Sequence, residues 1–209
     1  MSDILSEAAF TYRELSQYRY YFIFGDKQRN LYFIPLRLKE ENFPHLIGMD
    51  KLTDKRSFIF EEGKSKVLQR ILDEKITYKN VSDSPHLSEC MDKLSFFSEF
   101  SDFFSEGMEK SLAFNFQKKL AYSTINASIL IKHRNHNHLF LKYDSLHNRP
   151  AYFIPISFLN ESSSKYTSKQ KKLTLLYAER VLLSNETLPI EVLYKHKSFD
   201  KVVYDITII

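Results

Sequence analysis

Apolar and polar positions near the start of the chain follow first a helical pattern and then a strand pattern. Residues 6–19 predict a helix that begins at Ser6, a residue type that caps helix N-termini. Two aromatic-rich runs, Tyr20–Phe24 and Leu31–Leu36, follow on either side of the polar segment 25–30. Such a pair of β-prone runs around a short turn predicts a hairpin.

Helical spacing dominates the middle of the chain. In residues 64–75 the apolar side chains recur every three or four positions, which predicts an amphipathic helix. Residues 84–106 predict a second helical stretch, with Pro85 at its first position. Its phenylalanines fall at helical spacing: Phe96, Phe97, Phe100, Phe103 and Phe104. They either pack in the core or form a face for a partner, and core packing is the interpretation that we favour.

The second half of the chain returns to short apolar runs. Three of them predict an antiparallel meander, with strands at 127–132, 138–143 and 151–157. The run 173–183 fits either a helix or a strand, and closing strands are expected at 190–194 and 201–209. Because helices precede a largely antiparallel sheet, the order of elements predicts an α+β fold.

Composition narrows the functional classes. A chain of 209 residues with 43% hydrophobic and 27% charged side chains suits one globular domain. Its four glycines argue against glycine-rich phosphate loops and dinucleotide-binding turns. The net charge of +4 permits an anionic partner without requiring one. The single cysteine, Cys90, and the lack of a secretory or membrane-spanning pattern predict a cytoplasmic protein with no membrane partner.

His45 is the main candidate for acid–base chemistry. It lies in the apolar segment Phe43–Met49, between a proline and a glycine. Histidine exchanges a proton near neutral pH, so His45 fits a general acid or base, and the alternative is a histidine that packs or caps a loop. Of the cations that follow, we expect Lys51 to stabilise charge in a transition state and Arg56 to contact RNA. The alternative for both is an exposed charged loop.

Three histidines lie between two predicted strands, in the segment Lys132–His138. Histidines that bind zinc converge with a further histidine, a carboxylate or a cysteine, and neither of the last two lies beside this group, so we expect no metal. A basic turn that contacts a phosphate backbone through Lys132 and Arg134 is the interpretation that we favour.

Lys142 and Tyr152 form a third candidate pair. If their strands are adjacent, both side chains share one face of the sheet. Such a face suits metal-free RNA cleavage, in which a base takes the 2′-hydroxyl proton, cations neutralise the phosphorane and an acid protonates the leaving oxygen. The alternative is that Tyr152 packs within its strand and Lys142 faces solvent.

Two segments resemble the phage- and toxin-associated branch of the Barnase–EndoU–colicin–RelE (BECR) nuclease group. The hairpin followed by Asn42–Met49 is similar to the His-Leu-x-Gly segment of that branch. The run Ala127–Leu159, which contains Ala151–Pro155, is similar to its ending of a strand followed by a Tyr-x-Pro-like strand. The resemblance covers about residues 18–160 and implies N-terminal helices packed on a four- to five-stranded, mainly antiparallel sheet.

The resemblance also implies site residues and a domain boundary. His45 carries over from the family pattern, whereas Lys51, Lys142 and Tyr152 are assigned by position. The family's late serine or threonine has three candidates here, Ser128, Ser145 and Ser157. We expect a nuclease domain at 1–160 and a C-terminal elaboration at 161–209 that belongs to the same domain.

The function that the resemblance implies is a metal-independent endoribonuclease of toxin or prophage type, without a cofactor. RNA is its expected partner, and an antitoxin or a phage or host protein could be another. The alternative is a non-catalytic phage or mobile-element protein that binds another protein through the aromatic helix at 94–104. Burial separates the two, because a nuclease needs His45 in an open basic cleft and its phenylalanines in the core.

Overall fold

The computed structural model describes residues 3–133, 136–145, 151–184 and 189–199. Its N-terminal helix, α1, spans Ile4–Ser16 and begins earlier than expected, because Asp3 rather than Ser6 is the N-cap. The Asp3 carboxylate accepts a hydrogen bond from the Leu5 amide at 2.8 Å. This bond satisfies one of the amides that the start of a helix leaves unpaired.

Eight strands form one sheet, and seven of them close into a barrel. The strands are β1 (Tyr18–Gly25), β2 (Leu31–Arg37), β3 (Leu112–Asn115), β4 (Ile129–Lys132), β5 (Asn137–Asp144), β6 (Tyr152–Asn160), β7 (Lys171–Leu182) and β8 (Glu191–Lys195). Their order is β1-β2-β6-β5-β4-β3-β7-β8, and β7 also pairs with β1, which closes the ring. β2 and β6 run parallel and are joined at one residue pair, Leu36 and Phe153.

The closed barrel contradicts the expected arrangement of helices on a four- to five-stranded sheet. The hairpin of β1 with β2 and the meander of β4, β5 and β6 are confirmed. The prediction missed β3, because four residues are too few to show a strand period. It also left 173–183 undecided, although β7 covers this run and pairs with β1, β3 and β8. Hairpin and meander therefore belong to one sheet.

In the described part of the chain, the helices after α1 all lie between β2 and β3. The α-helices there are α2 (Phe43–Leu46), α3 (Arg56–Ile59), α4 (Val67–Leu72), α5 (Tyr78–Val81) and α6 (Leu87–Leu94). Short 3₁₀ segments lie between and after them, at Glu40–Asn42, Met49–Lys51, Thr53–Lys55, Lys64–Lys66, Phe97–Phe104 and Glu106–Lys110. Helices this short are stabilised by tertiary packing rather than by helix propensity.

The helical stretch predicted at 84–106 is divided into α6 and the 3₁₀ helix Phe97–Phe104. Phe97, Phe100 and Phe103 recur every three residues, which is the period of a 3₁₀ helix, so their rings share one face. All three rings are completely buried. The preferred interpretation of this aromatic stretch as core is thus correct for these residues.

The 3₁₀ helix packs directly against the sheet. The Phe100 ring lies 5.3 Å from the ring of Phe158 on β6. The Phe104 ring lies 4.7 Å from the ring of Tyr20 on β1. Helices and inward-facing strand residues therefore share one main core.

A second apolar cluster covers the opposite face of β3, β4 and β5. We call it the outer cluster, and its buried members are Phe114, Phe116, Ala121, Leu130 and Phe140. Tyr166, from the turn region between β6 and β7, closes over it with its ring 5.2 Å from that of Phe140. The strands are thus buried on both faces, which explains why their apolar runs lack a clean alternation.

The last predicted strands have different outcomes. The one at 190–194 is confirmed as β8, whereas 201–209 lies outside the described residues. Within the described ranges, no helix has the length and apolar character needed to cross a bilayer.

Candidate active site

His45 is presented to solvent by a short helix whose other side chains are anchored in the core. In α2, Phe43 and Leu46 are completely buried, whereas the His45 side chain is 51% exposed. The chain then turns at Gly48, which adopts a left-handed φ of 83°. A Cβ at this position would lie 3.1 Å from the Cα of Cys90, so only glycine allows α6 to approach this closely.

Asp50 orients the imidazole of His45. Its Oδ2 lies 2.8 Å from His45 Nδ1, because the turn at Gly48 brings the carboxylate back beneath the ring. A proton on Nδ1 leaves Nε2 as the nitrogen that can accept or deliver a proton. Partial burial raises the pKa of Asp50, but the hydrogen bond and charge of His45 outweigh it, so the pKa lies below its usual value.

Lys93 approaches the same residue from α6. Its Nζ donates a hydrogen bond to the His45 backbone carbonyl at 2.9 Å. Burial lowers the pKa of Lys93, although the nearby Asp50 carboxylate opposes this effect. An ammonium group that loses its proton more readily than usual is therefore bonded to the backbone of His45.

His45 borders an open cleft of about 610 Å³. The cleft is lined by Glu41, Asn42, His45, Lys51, Lys64, Lys93, Thr124, Ile125, Asn126, Ile156 and Ser157. Three of these side chains are cationic and one is anionic, so the cleft carries a net positive charge. Such a site attracts and holds a polyanion or a phosphate.

A smaller pocket of about 220 Å³ adjoins the cleft. The two share Glu41, His45 and Lys64, and the smaller one adds Asp50 and Arg56. His45 therefore stands where the two concave surfaces meet. A ligand that extends across both would pass the imidazole.

The predicted site residues divide into two groups in space. His45 and Lys51 meet in the cleft, and Arg56 lines the adjoining pocket. Lys142 and Tyr152 lie on adjacent strands, as expected, but neither lines the cleft.

Lys142 and Tyr152 are diagonal neighbours on one face of the sheet, since Lys142 is opposite Ile154 and Tyr152 is opposite Asp144. Lys39 lies over the Tyr152 ring, 5.2 Å from its centroid. Its Nζ is also 2.9 Å from Asp144. Tyr152 thus belongs to a charged group beside the seam between β2 and β6.

A salt bridge links this group to the cleft. Lys39 Nζ lies 3.4 Å from Glu41, which itself lines the cleft. Partial burial lowers the pKa of Lys39, but the hydrogen bond to Asp144 raises it more, so Lys39 stays charged. Tyr152 is therefore close to the site without forming its wall.

The basic turn predicted for RNA contact lies elsewhere on the sheet. Lys132 ends β4 and is paired with His138 on β5. Lys142 is four residues further along β5, about 13 Å from that pair. Arg134 lies outside the described residues.

The histidines of this turn do not converge. His133 is buried in the main core, with its ring 5.8 Å from that of Phe103. His138 is buried in contact with the outer cluster, 5.9 Å from the ring of Tyr166. The two rings therefore point to opposite faces of the sheet.

Sequence reasoning missed two residues that the fold brings to His45, and it left a third cleft residue undecided. Asp50 follows it by five residues, and the intervening glycine was the available signal for a turn that reunites them. Lys93 comes from α6, and no local pattern relates it to His45. Of the three serine candidates, Ser157 on β6 lines the cleft, whereas Ser128 and Ser145 do not.

The fold thus places an oriented histidine among lysines at the edge of a cleft, an arrangement that suits acid–base chemistry on an anionic substrate. The model of the PBECR4 family, described as phage-Barnase-EndoU-ColicinE5/D-RelE like nuclease4, matches residues 4–193. The chain belongs to this nuclease family. No curated protein and no solved structure matches the chain.

Proposed function

We propose that this nuclease is a metal-independent endoribonuclease that cleaves RNA by attack of the 2′-hydroxyl group. The observation that carries the proposal is the His45–Asp50 pair at the edge of a cationic cleft. An imidazole with a fixed proton on Nδ1 can act as a base through Nε2. RNA supplies its own nucleophile, so the protein needs only proton transfer and charge stabilisation.

His45 Nε2 takes the proton of the 2′-hydroxyl, and O2′ attacks the adjacent phosphorus. The P–O5′ bond breaks, which leaves a 2′,3′-cyclic phosphate on one product. The leaving O5′ receives a proton from an ammonium group of the cleft. We assign this role to Lys93, since its pKa is lowered by burial and its Nζ is bonded to the His45 carbonyl.

Lys51 and Lys64 stabilise the phosphorane, because fixed cations act most strongly where negative charge develops. Arg56, in the adjoining pocket, extends the positive surface for the next phosphate. Lys142 and Tyr152 remain predicted catalytic residues. Tyr152 lies beside Lys39, and Lys142 is its diagonal neighbour on β5. We assign both a contact with the part of the substrate that leaves the cleft over the β2–β6 seam.

The burial of the aromatic segment argues against the alternative of a protein-binding helix face. Phe97, Phe100, Phe103 and Phe104 are at most 1% exposed, and Phe96 is partly buried against the same core. His45, in contrast, opens into the cleft. This combination is the one expected of the nuclease.

We extend the proposal to a toxin or prophage setting in the cytoplasm, with RNA as substrate and an antitoxin as a possible inhibitor. The phage association of the family supports this setting. A chain that cleaves cellular RNA would need such an inhibitor in its own host.

The experiment incubates the purified protein with a single-stranded RNA oligonucleotide in EDTA. Cleavage should give 2′,3′-cyclic phosphate ends, detected by mass spectrometry. His45→Ala should reduce the rate about a hundredfold to ten-thousandfold, as expected for loss of a general base. His196→Ala, a partly exposed histidine beyond β8, is the matched control and should keep full activity.

Three results would overturn the proposal. Equal cleavage by wild type and His45→Ala would remove His45 from the reaction. Cleavage of an oligonucleotide with 2′-deoxyribose throughout would exclude 2′-hydroxyl attack. Binding of RNA with no cleavage by any variant would indicate a nuclease fold that has kept only its binding role.

A further inference from the structure

Tyr122 is the most exposed large hydrophobic side chain described, at 91%. It lies in the loop between β3 and β4 and has a φ of 48°, in the left-handed region. Glycine and asparagine suit this region, whereas a residue with a bulky side chain is strained there. Within the described ranges, the Tyr122 hydroxyl makes no hydrogen bond. Neither burial nor bonding within the chain thus explains a tyrosine at this strained position.

The loop that carries Tyr122 is held firmly. Its preceding residue, Ala121, is buried in the outer cluster. At the start of the loop, Gln117 is bonded twice to Gln170, at 2.9 Å through its amide and at 3.1 Å through its carbonyl. The Ser123 amide donates to the Lys118 carbonyl at 3.0 Å. The tyrosine ring is therefore displayed on a preorganised frame, which reduces the entropic cost of binding.

The same loop forms one wall of the His45 cleft. Thr124, Ile125 and Asn126 line the cleft opposite the helical segment. The Cα of Tyr122 is two residues from that of Thr124, so they are at most about 7.6 Å apart. The Tyr122 backbone therefore lies within two residues of the cleft wall.

Positive charge accompanies the ring. Lys118 and Lys119, in the same turn, are both exposed. Neither forms an ion pair in the described part of the chain. An exposed aromatic ring next to unpaired lysines is the combination that binds single-stranded nucleic acid, since bases stack on the ring and phosphates contact the cations.

We propose that Tyr122 is a stacking platform that makes single-stranded RNA the substrate class of this site. A base next to the scissile nucleotide stacks on the ring, and Lys118 and Lys119 contact the phosphates that lead away from the cleft. The identification of the polymer as RNA rests on the proposed function. A duplex cannot use the platform, because its bases are already stacked on each other.

The test uses the absence of tryptophan from this chain. Tyr122→Trp introduces a single indole, whose fluorescence is quenched when a base stacks on it. The titrant is a 2′-O-methyl RNA oligonucleotide, which cannot be cleaved by 2′-hydroxyl attack. The single-stranded form should quench the fluorescence, and the same sequence in a duplex should not. Phe10→Trp, at a 59% exposed position on α1, is the matched control and should not respond to either form.

Affinity gives an independent readout. Tyr122→Ala should bind the single strand about five- to a hundredfold more weakly, the range typical for loss of one stacked base. Tyr122→Phe should keep the wild-type affinity, because the ring suffices for stacking. Tyr122→Asn should also bind weakly, yet melt at the wild-type temperature or above, since asparagine tolerates the left-handed backbone. Unfolding then cannot account for its loss of binding.

Unchanged affinity of Tyr122→Ala would overturn the proposal, as would equal quenching of both indole reporters. The binding assays involve no cleavage, so their outcome does not depend on that of the cleavage assay. RNA that stacks on Tyr122 without being cut would refute the proposed reaction and keep the platform. If Tyr122→Ala binds and cuts RNA as well as the wild type does, the stacking platform is refuted and the proposed reaction is kept.

Discussion

Two histidines show how differently one type of side chain behaves in two regions of this molecule. His45, at the cleft, is half exposed and has a carboxylate on Nδ1. His138, beside the outer cluster, is completely buried between Phe140 and Tyr166. Burial lowers the pKa of His138 to about 4, so it is neutral near pH 7. The comparison teaches that solvent access and an orienting carboxylate separate the proposed catalytic histidine from a buried one.

The regions also differ in what the surrounding residues contribute. Around His138 the contacts are mainly apolar and aromatic, and they contribute stability. Around His45, Lys51 and Lys64 are exposed, whereas Lys93 and Asp50 are partly buried, and all four contribute charge. Four variants test this division, from the largest expected effect to the smallest.

The largest effect is expected from removal of a ring in the outer cluster. Phe140→Ala should lower the free energy of unfolding by about 3–5 kcal/mol, because Phe140 is completely buried and its loss leaves a cavity. Urea unfolding followed by circular dichroism measures this change. In the cleft, Lys51→Ala and Lys64→Ala should each change stability by less than about 0.5 kcal/mol. If the cleft variants lost as much stability as Phe140→Ala, the outer cluster and the cleft would not differ in what they contribute.

The second effect concerns the pH dependence of stability. The unfolded chain binds a proton at His138 below about pH 6.5, whereas the folded chain does so only below about pH 4. Stability therefore falls as pH drops between these values, by about 3 kcal/mol in total for this group. His138→Gln should flatten the profile in that window, measured by urea unfolding at each pH. The control His86→Gln, at the start of α6, should keep the fall in stability between these pH values. If His138→Gln also keeps it, His138 is in contact with solvent in the folded chain.

The third effect is on catalysis. Asp50→Asn should reduce RNA cleavage about tenfold to a hundredfold, since residues that orient a reactive imidazole typically contribute this much. The pKa of Asp50 is below its usual value, so its carboxylate is lost only as pH falls through that lowered pKa. The difference between wild type and variant should therefore persist from pH 5 to pH 8 in initial-rate measurements. Asp83→Asn, on the surface, is the control; equal rates for Asp50→Asn would mean that His45 needs no orienting partner.

The smallest effect is on the salt dependence of binding. Lys64→Ala should reduce the slope of log affinity against log salt by about 0.7, the value for one phosphate contact on a single strand. Fluorescence anisotropy with a labelled, non-cleavable oligonucleotide measures the slope. Lys27→Ala, in the exposed turn of the hairpin, should leave it unchanged. A slope that is the same in both variants would place the RNA outside the cleft.

Local patterns predicted the hairpin and the meander, because each strand there pairs with a neighbour in the sequence. No local pattern could predict the pairing of β1 with β7, which joins residues 18–25 to residues 174–182. The stretch that forms β7 carries apolar residues for both of its faces, so its period was ambiguous. To predict β7, one needs to know which strand it pairs with, and strand propensity alone does not supply this.

The site shows the same limit. His45 and Lys51 were accessible to sequence reasoning, because one short turn holds both. Lys93 and Ser157 reach the cleft from α6 and β6, and only the folded chain brings them near. The resemblance identified the nuclease family correctly, but it assigned Tyr152 by position along a strand. The structure places this ring beside Lys39 at the β2–β6 seam, and its catalytic role stays a prediction.

The closure of the barrel by β1 and β7 has a consequence for the nascent chain. β1 leaves the ribosome long before β7 exists, and until then one of its edges has unpaired amides and carbonyls. Such an edge invites pairing with another chain, and long-range strand pairing folds slowly. The cleft is lined in part by Ile156 and Ser157 on β6, so it cannot be complete before β6 has been made. The order of synthesis thus postpones a working cleft until most of the chain has been made.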